Sequence, residues 1–125
     1  MDTVEVENLI QKALKELDQA LEAHIKKDFE ARNMNIWNAS SETEYLLFML
    51  GIQAKVENED DLPSTPNENK DFDVVECIVK AQENLQESLQ LYRRQKKNLK
   101  EVYEKVFSAR SYLIMLQEKI ETKKL

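Results

Sequence analysis

The seven-residue repeat that decides the fold runs through residues 74–122, VVECIVKAQENLQESLQLYRRQKKNLKEVYEKVFSARSYLIMLQEKIET. One position in every seven is apolar in this stretch, and neither Gly nor Pro occurs after Pro66. Such a spacing keeps one narrow face of a helix turned toward a partner helix, as in a coiled coil. We therefore expect one continuous helix over 73–123. Its heptad stripe consists of Ile78, Leu85, Tyr92, Leu99, Val106, Leu113 and Ile120.

This helix has its own start signal. Asp73 stands three residues before Glu76, and that spacing predicts a capping box, in which each side chain bonds the other residue's backbone amide. Upstream, residues 57–72 are rich in acids and contain both prolines. Because so polar a segment has little apolar surface to bury, it predicts a connecting loop.

Residues 5–56 predict a first helical arm. Apolar side chains recur every three or four positions from Ile10 to Ile25, with charged residues on the remaining faces, which is typical of an amphipathic helix. Asn and Ser are then frequent over 33–41. Because these side chains compete for backbone hydrogen bonds, they predict a bend at 38–41.

Together these signals predict an all-α chain in which residues 1–125 form a single helical domain. Charged residues make up 34% of the sequence, which has one Gly and two Pro, a composition typical of long helices. Two arms of similar length joined by one loop favour a long antiparallel helical hairpin held as a coiled coil. A rod of this kind buries little surface by itself, so we expect it to associate with other helices.

Internal similarity supports an alternative fold, a compact four-helix bundle made of two similar hairpins. Apolar positions of the first arm recur 68 residues later, as with Ile10 and Ile78, and others recur 66 residues later, as with Leu47 and Leu113. This fold requires the second arm to break within residues 92–106, where neither Gly nor Pro occurs. The hairpin is therefore the favoured prediction.

Two apolar clusters, at residues 45–50 and 112–115, point around the whole circumference of their helices. A hairpin covers one face of each helix, so part of each cluster would stay exposed, and exposed apolar patches mark interfaces. The predicted interface therefore combines the heptad stripe with the two clusters. The cluster residues in it are Tyr45, Leu47, Phe48, Tyr112 and Met115.

The predicted function is that of a non-enzymatic structural or adaptor subunit that joins a larger complex through coiled-coil packing. Its format is similar to that of the small subunits of kinetochore, spindle, vesicle-tethering and transcription-mediator assemblies, by analogy of shape alone. We expect other helical subunits as partners, in a hetero-oligomer, with a homodimer as the alternative. The rival function is that of a compact bundle acting as a small regulatory, chaperone or ligand-binding protein.

A run of cations, Arg93, Arg94, Lys96, Lys97 and Lys100, raises the question of nucleic-acid or microtubule binding. Affinity for such surfaces grows with the number of charges neutralised. On one helix, however, these five side chains would spread around the axis, and the chain has a net charge of −6. We therefore expect a solvated or internally paired surface rather than contact with either polymer.

The sequence offers little for chemistry. It has one histidine, His24, and one cysteine, Cys77, which cannot assemble a catalytic relay or a metal site, so we expect no enzyme activity, metal or cofactor. Thr65 precedes Pro66 in the acidic segment and is a candidate phosphorylation site. The absence of an apolar run of about 20 residues argues against a membrane span. With no secretory signal and a lone cysteine, we expect an intracellular protein, cytoplasmic or nuclear.

Overall fold

The chain folds as four α-helices. The computed structural model describes residues 3–54, 72–94 and 98–122, and these ranges contain no strand. The helices are α1 (Thr3–Ile25), α2 (Phe29–Ala54), α3 (Val74–Arg93) and α4 (Leu99–Thr122). The all-α prediction is therefore confirmed, in the four-helix form that was the alternative.

The first arm breaks at residues 26–28. The amide of Asp28 donates to the Ala23 carbonyl (2.8 Å) and the amide of Lys27 to the His24 carbonyl (3.1 Å), which is the Schellman pattern that closes a helix. Lys27 accordingly has a φ of 62°. Asp28 then caps α2, because its Oδ1 accepts from the Ala31 amide at 3.2 Å.

The bend expected at 38–41 is absent, since α2 continues through these residues. Their neighbours supply the reason. The amide group of Asn35 donates to Glu16 (2.9 Å) and Gln19 (3.0 Å) of α1, and the Ser40 hydroxyl donates to Gln117 of α4 (3.0 Å). Because these polar side chains find partners on other helices, they do not compete for the backbone of their own.

The single helix expected over 73–123 is two helices. The predicted capping box is present, since Asp73 Oδ1 accepts from the Glu76 amide and α3 begins at Val74. However, α3 ends at Arg93, and Asn98 caps α4 by accepting from the Glu101 amide at 3.2 Å. Cations cluster between these caps in the sequence, and like charges three or four residues apart disfavour one continuous helix there.

Each helix packs antiparallel to its two neighbours. Short connections make α1 and α2 antiparallel, and likewise α3 and α4. Between α1 and α3, Arg93 lies near Glu7 whereas Gln82 bonds Asp18. Between α2 and α4, Ser40 bonds Gln117 whereas Glu44 bonds Arg110, so these pairs also run in opposite directions. The two hairpins join through the α1–α3 and α2–α4 contacts, so that the remaining helix pairs lie across the diagonals. This is the square cross-section of a four-helix bundle.

The core follows the internal repeat. At a spacing of 68 residues, buried positions of α1 correspond to buried positions of α3, and at 66 residues those of α2 correspond to those of α4. The α1 and α3 pairs are Val6 and Val74, Ile10 and Ile78, Ala13 and Ala81, Leu17 and Leu85, and Ala20 and Ser88; the α2 and α4 pairs are Ile36 and Val102, Ser40 and Val106, Thr43 and Ala109, and Leu50 and Leu116. The two hairpins therefore contribute equivalent faces to one core.

The predicted loop at 57–72 lies almost entirely outside the described residues. Its last residue, Phe72, is buried, and its ring meets the ring of Tyr112 edge-on at 5.5 Å. Antiparallel packing places Ala54 and Val74 at opposite ends of the bundle.

Candidate interaction surface

The heptad stripe lies inside the chain's own core. Five of its seven members are buried, at 3% exposure or less: Ile78, Leu85, Tyr92, Val106 and Leu113. Leu99 and Ile120 are half-buried and pack against that core. The partner helices that the repeat requires are thus supplied by this chain, and these side chains are not available on the surface for a second protein.

The two apolar clusters have different environments. Leu47, Tyr112 and Met115 are half-buried and pack against the core. Tyr45 and Phe48 point outward, with 49% and 67% of their surface exposed. Ile114 of the second cluster is also exposed, at 42%. The prediction that part of each cluster stays exposed therefore holds for Tyr45 and Phe48 on α2 and for Ile114 on α4.

Tyr45 and Phe48 belong to a longer row along the outer face of α2, which we call the outer stripe. The row repeats every three or four residues and therefore stays on one side of the helix. Its members are Met34, Trp37, Ser41, Tyr45, Phe48 and Ile52, all of them exposed. The buried face of α2, centred on Ile36, Thr43 and Leu50, lies on the opposite side.

The outer stripe is large for a surface feature. Its five apolar members expose between 49% and 67% of their surface. With about 200 Å² for a large side chain, these fractions correspond to roughly 600 Å² of exposed surface. The largest apolar patch on a typical monomer is about 300–600 Å² and is often functional. The stripe is therefore the strongest candidate for a binding surface among the described residues.

A polar cleft of about 300 Å³ borders the stripe on the α4 side, next to Trp37 and Ile114. Arg110 of α4 reaches across it: Nη1 donates to the Ser40 hydroxyl (2.6 Å) and Nη2 to the Glu44 carboxylate (3.0 Å). Gln117 accepts from both Ser40 and Arg110. These hydrogen bonds hold α2 against α4. Because the groups bond one another, the cleft offers few free polar groups to a small ligand.

The α1 side of the stripe is bordered by Glu42. Its Oε2 is buried without a hydrogen-bond partner, and its Oε1 lies 3.6 Å from the exposed ammonium of Lys12. Burial raises the pKa of the Glu42 carboxyl above its usual value, Lys12 opposes this rise, and Glu16 adds to it. The acid is thus held at the α1–α2 seam at some cost in stability.

Arg32 lies near the end of the bundle, and only 1% of its surface is exposed. Its Nε donates to Asn33 (3.0 Å), its Nη1 lies 3.0 Å from His24 Nδ1, and its guanidinium sits 4.6 Å from the Phe29 ring centre. Burial lowers the pKa of the Arg32 guanidinium. Because a guanidinium only donates hydrogen bonds, His24 Nδ1 is the acceptor in this contact. These contacts explain why His24 is half-buried and structural.

The remaining predicted site residues are the cations and Thr65. Arg93, Arg94 and Lys100 are all exposed, and Arg93 Nε lies 3.6 Å from Glu7 of α1. Lys96, Lys97 and Thr65 lie outside the described residues, so the phosphorylation and polymer-binding hypotheses stay predictions. Over the ranges that the structure describes, no three His, Cys, Asp or Glu side chains form a group that could hold a metal ion. None of the four helices is long and apolar enough to cross a membrane.

Sequence reasoning found only part of the outer stripe. It placed Tyr45 and Phe48 at an interface but missed Met34 and Ile52. The sequence signal that could have found them is that α2 has apolar residues on two opposite faces, whereas packing in a bundle requires only one apolar face. No protein-family model matches the sequence, and comparisons with curated proteins and with solved structures found no similar protein.

Proposed function

We propose that this protein is a non-enzymatic assembly subunit that docks onto a helical surface of another polypeptide through the outer stripe of α2. The observation that carries the proposal is the row of five large apolar side chains exposed on one helix face, opposite the face that forms the core. A stable bundle needs only the inner face. The outer stripe costs solubility and contributes little to this chain's own fold.

The composition of the stripe is that of a binding surface. Trp, Tyr, Phe and Met are enriched at protein interfaces, where rigid aromatic side chains bury much area at a small entropic cost. Residues spaced by three and four along a helix also match the standard mode in which a helix meets another helix or a groove. The Arg110 network holds α2 in place, so the surface is pre-organised before it meets a partner.

A photo-cross-linking experiment tests this function. A benzophenone amino acid replaces Phe48 in the full chain, expressed in the cells that make the protein, and the adducts are identified by mass spectrometry. The matched control places the same amino acid at Val75, which is 41% exposed on α3 and far from the stripe in sequence. We expect discrete adducts from position 48 alone, and a loss of at least ~10-fold when Trp37→Asp is added.

Two results would refute the proposal. One is an adduct yield at position 48 no higher than at position 75. The other is an adduct pattern that Trp37→Asp leaves unchanged. Because Trp37 is 62% exposed and outside the core, that substitution is expected to leave the bundle folded, which circular dichroism checks directly.

A further inference from the structure

We propose that the occupant of the outer stripe is a second copy of this chain, with the two α2 helices packed antiparallel across a two-fold axis at Ser41. This inference rests on the proposed function, because it assigns the partner of the same surface. Three observations support it: the symmetry of the stripe, its exposed area, and the acidic composition of the segment that follows α2 in the sequence.

Four of the five apolar members of the stripe are placed symmetrically about Ser41. Trp37 and Tyr45 each lie four residues from Ser41, and Met34 and Phe48 each lie seven residues from it. A two-fold axis through Ser41 therefore sets Trp37 against Tyr45 of the partner subunit. A symmetric dimer requires a patch that complements itself in this way, so that residue i meets j and j meets i.

The centre of the stripe suits a crossing point. Ser41 is its smallest member, and a small side chain lets two helix backbones approach closely. Large apolar side chains flank it on both sides at one and two turns. At the ends, the same axis brings exposed Glu30 beside Ile52 of the partner subunit, since each lies eleven residues from Ser41. Ile52 therefore has no apolar mate across the axis, and the other four side chains make the apolar contact.

The area is sufficient for a weak dimer. The four paired side chains expose roughly 480 Å² per copy, which gives up to about 950 Å² for two copies. This lies below the standard range for specific protein interfaces, where weak and transient ones fall, and above most crystal-packing contacts. We therefore expect association at micromolar concentrations rather than an obligate dimer.

The chain's own connecting segment is a poor competitor for the stripe. Residues 57–73 contain seven acids and one base, and their few apolar side chains do not match five large exposed ones. The net charge of −6 per copy also distinguishes a second copy of this chain from a basic partner protein, because the two respond differently to salt. Added salt screens repulsion between two acidic copies and strengthens a dimer, whereas it weakens binding of a basic partner.

Sedimentation equilibrium on the purified full chain, from about 1 to 100 µM, is the decisive measurement. We expect the mass to rise from 14.7 kDa toward twice that value, and the dimer to tighten with added salt. Phe48→Asp should weaken it at least ~10-fold, while Val75→Asp should not change it. A chain that stays monomeric at 100 µM, or a dimer that survives Phe48→Asp, overturns the inference.

Cysteine cross-linking tests the geometry. Ser41→Cys should form a covalent dimer under mild oxidation, and Val75→Cys should not. In the antiparallel arrangement Phe48→Cys pairs with Met34→Cys when the two variants are mixed, and does not pair with itself. The native Cys77 is buried, so the unmodified chain provides the background. Self-pairing of Phe48→Cys would contradict the antiparallel two-fold.

Photo-cross-linking and sedimentation equilibrium distinguish a failure of the dimer from a failure of the proposed docking function. A monomeric purified chain that still gives Trp37-dependent adducts with a different protein removes the dimer and leaves the docking function standing. An adduct yield at position 48 equal to that at position 75, with a monomeric chain, removes both.

Discussion

Glu42→Gln should make the protein more stable at neutral pH. Glu42 lies in the α1–α2 seam, where its side chain is 11% exposed and its Oε2 has no hydrogen-bond partner. An unpaired buried polar group costs about 1–3 kcal/mol, and more when it is charged; the Gln amide leaves the same position unpaired but removes the charge. The Lys12 ammonium, itself 65% exposed, returns at most about 1 kcal/mol. We expect the neutral amide to raise the free energy of unfolding by about 1 kcal/mol at pH 7.

The pH dependence gives this prediction its sign. Burial raises the pKa of Glu42 in the folded chain above its usual 4.5, so the folded state holds that proton more tightly than the unfolded state. The contribution of Glu42 to the free energy of unfolding therefore falls as pH rises through the window above 4.5. The advantage of Glu42→Gln should be absent below about pH 4.5 and fully developed once Glu42 is ionised in both states.

Urea denaturation followed by far-ultraviolet circular dichroism, at pH 4 and pH 7, measures the effect. With an m-value of about 1–3 kcal/mol/M for a small protein, 1 kcal/mol corresponds to a shift of roughly 0.3–1 M in the urea midpoint. Glu44→Gln is the matched control, because Glu44 is 64% exposed and bonds Arg110; that variant should lose up to about 1 kcal/mol. A Glu42→Gln variant that is less stable at pH 7, or equally affected at both pH values, would refute the reasoning.

Three further substitutions test the fold by the same unfolding measurement. Leu85→Ala should cost about 2–5 kcal/mol because it empties a fully buried position of the heptad stripe; a loss under about 1 kcal/mol would mean that the stripe is not in the core. Asp73→Ala should cost about 1 kcal/mol through the lost capping box, and an unchanged midpoint would contradict that cap. Lys27→Gly should stabilise the chain by about 0.5–1 kcal/mol, because a side chain at φ 62° is strained; destabilisation would place the α1–α2 turn in another conformation.

Local signals in the sequence located the start of α3 but not the end of α1. The Asp73 and Glu76 pair forms its box from residues that are neighbours in the chain, so no other helix is needed to interpret it. The expected bend at 38–41 used the same kind of signal and was wrong, because Asn35 and Ser40 bond side chains 16 or more residues away. Asp28 does cap a helix, but among the charged residues around it in the sequence nothing distinguishes it as a cap.

The heptad stripe shows a second limit. A seven-residue repeat specifies that a helix needs partners but not whether those partners belong to the same chain. Val106 and Leu85 meet their partner helices inside one bundle, which requires a break after Arg93 that no Gly or Pro announces. The internal similarity at 68 and 66 residues was the better guide to the fold, because it relates whole hairpins rather than single turns.

The outer stripe could be predicted only in part, for a related reason. The apolar residues of α2 occupy two faces, and the sequence alone does not say which face is buried. That choice depends on where α1 and α4 lie, as the contacts of Glu42 and Arg110 show. Once the bundle is known, the surplus face follows directly.

The position of Trp37 has a practical consequence. It is the chain's sole tryptophan, and most of its indole meets water while the bundle is intact. Its fluorescence emission should therefore shift little when the protein denatures, which makes it a poor optical reporter of folding. Its emission should shift to shorter wavelength when a partner covers the indole and excludes water. The unlabelled protein therefore carries its own fluorescent reporter of binding at that surface.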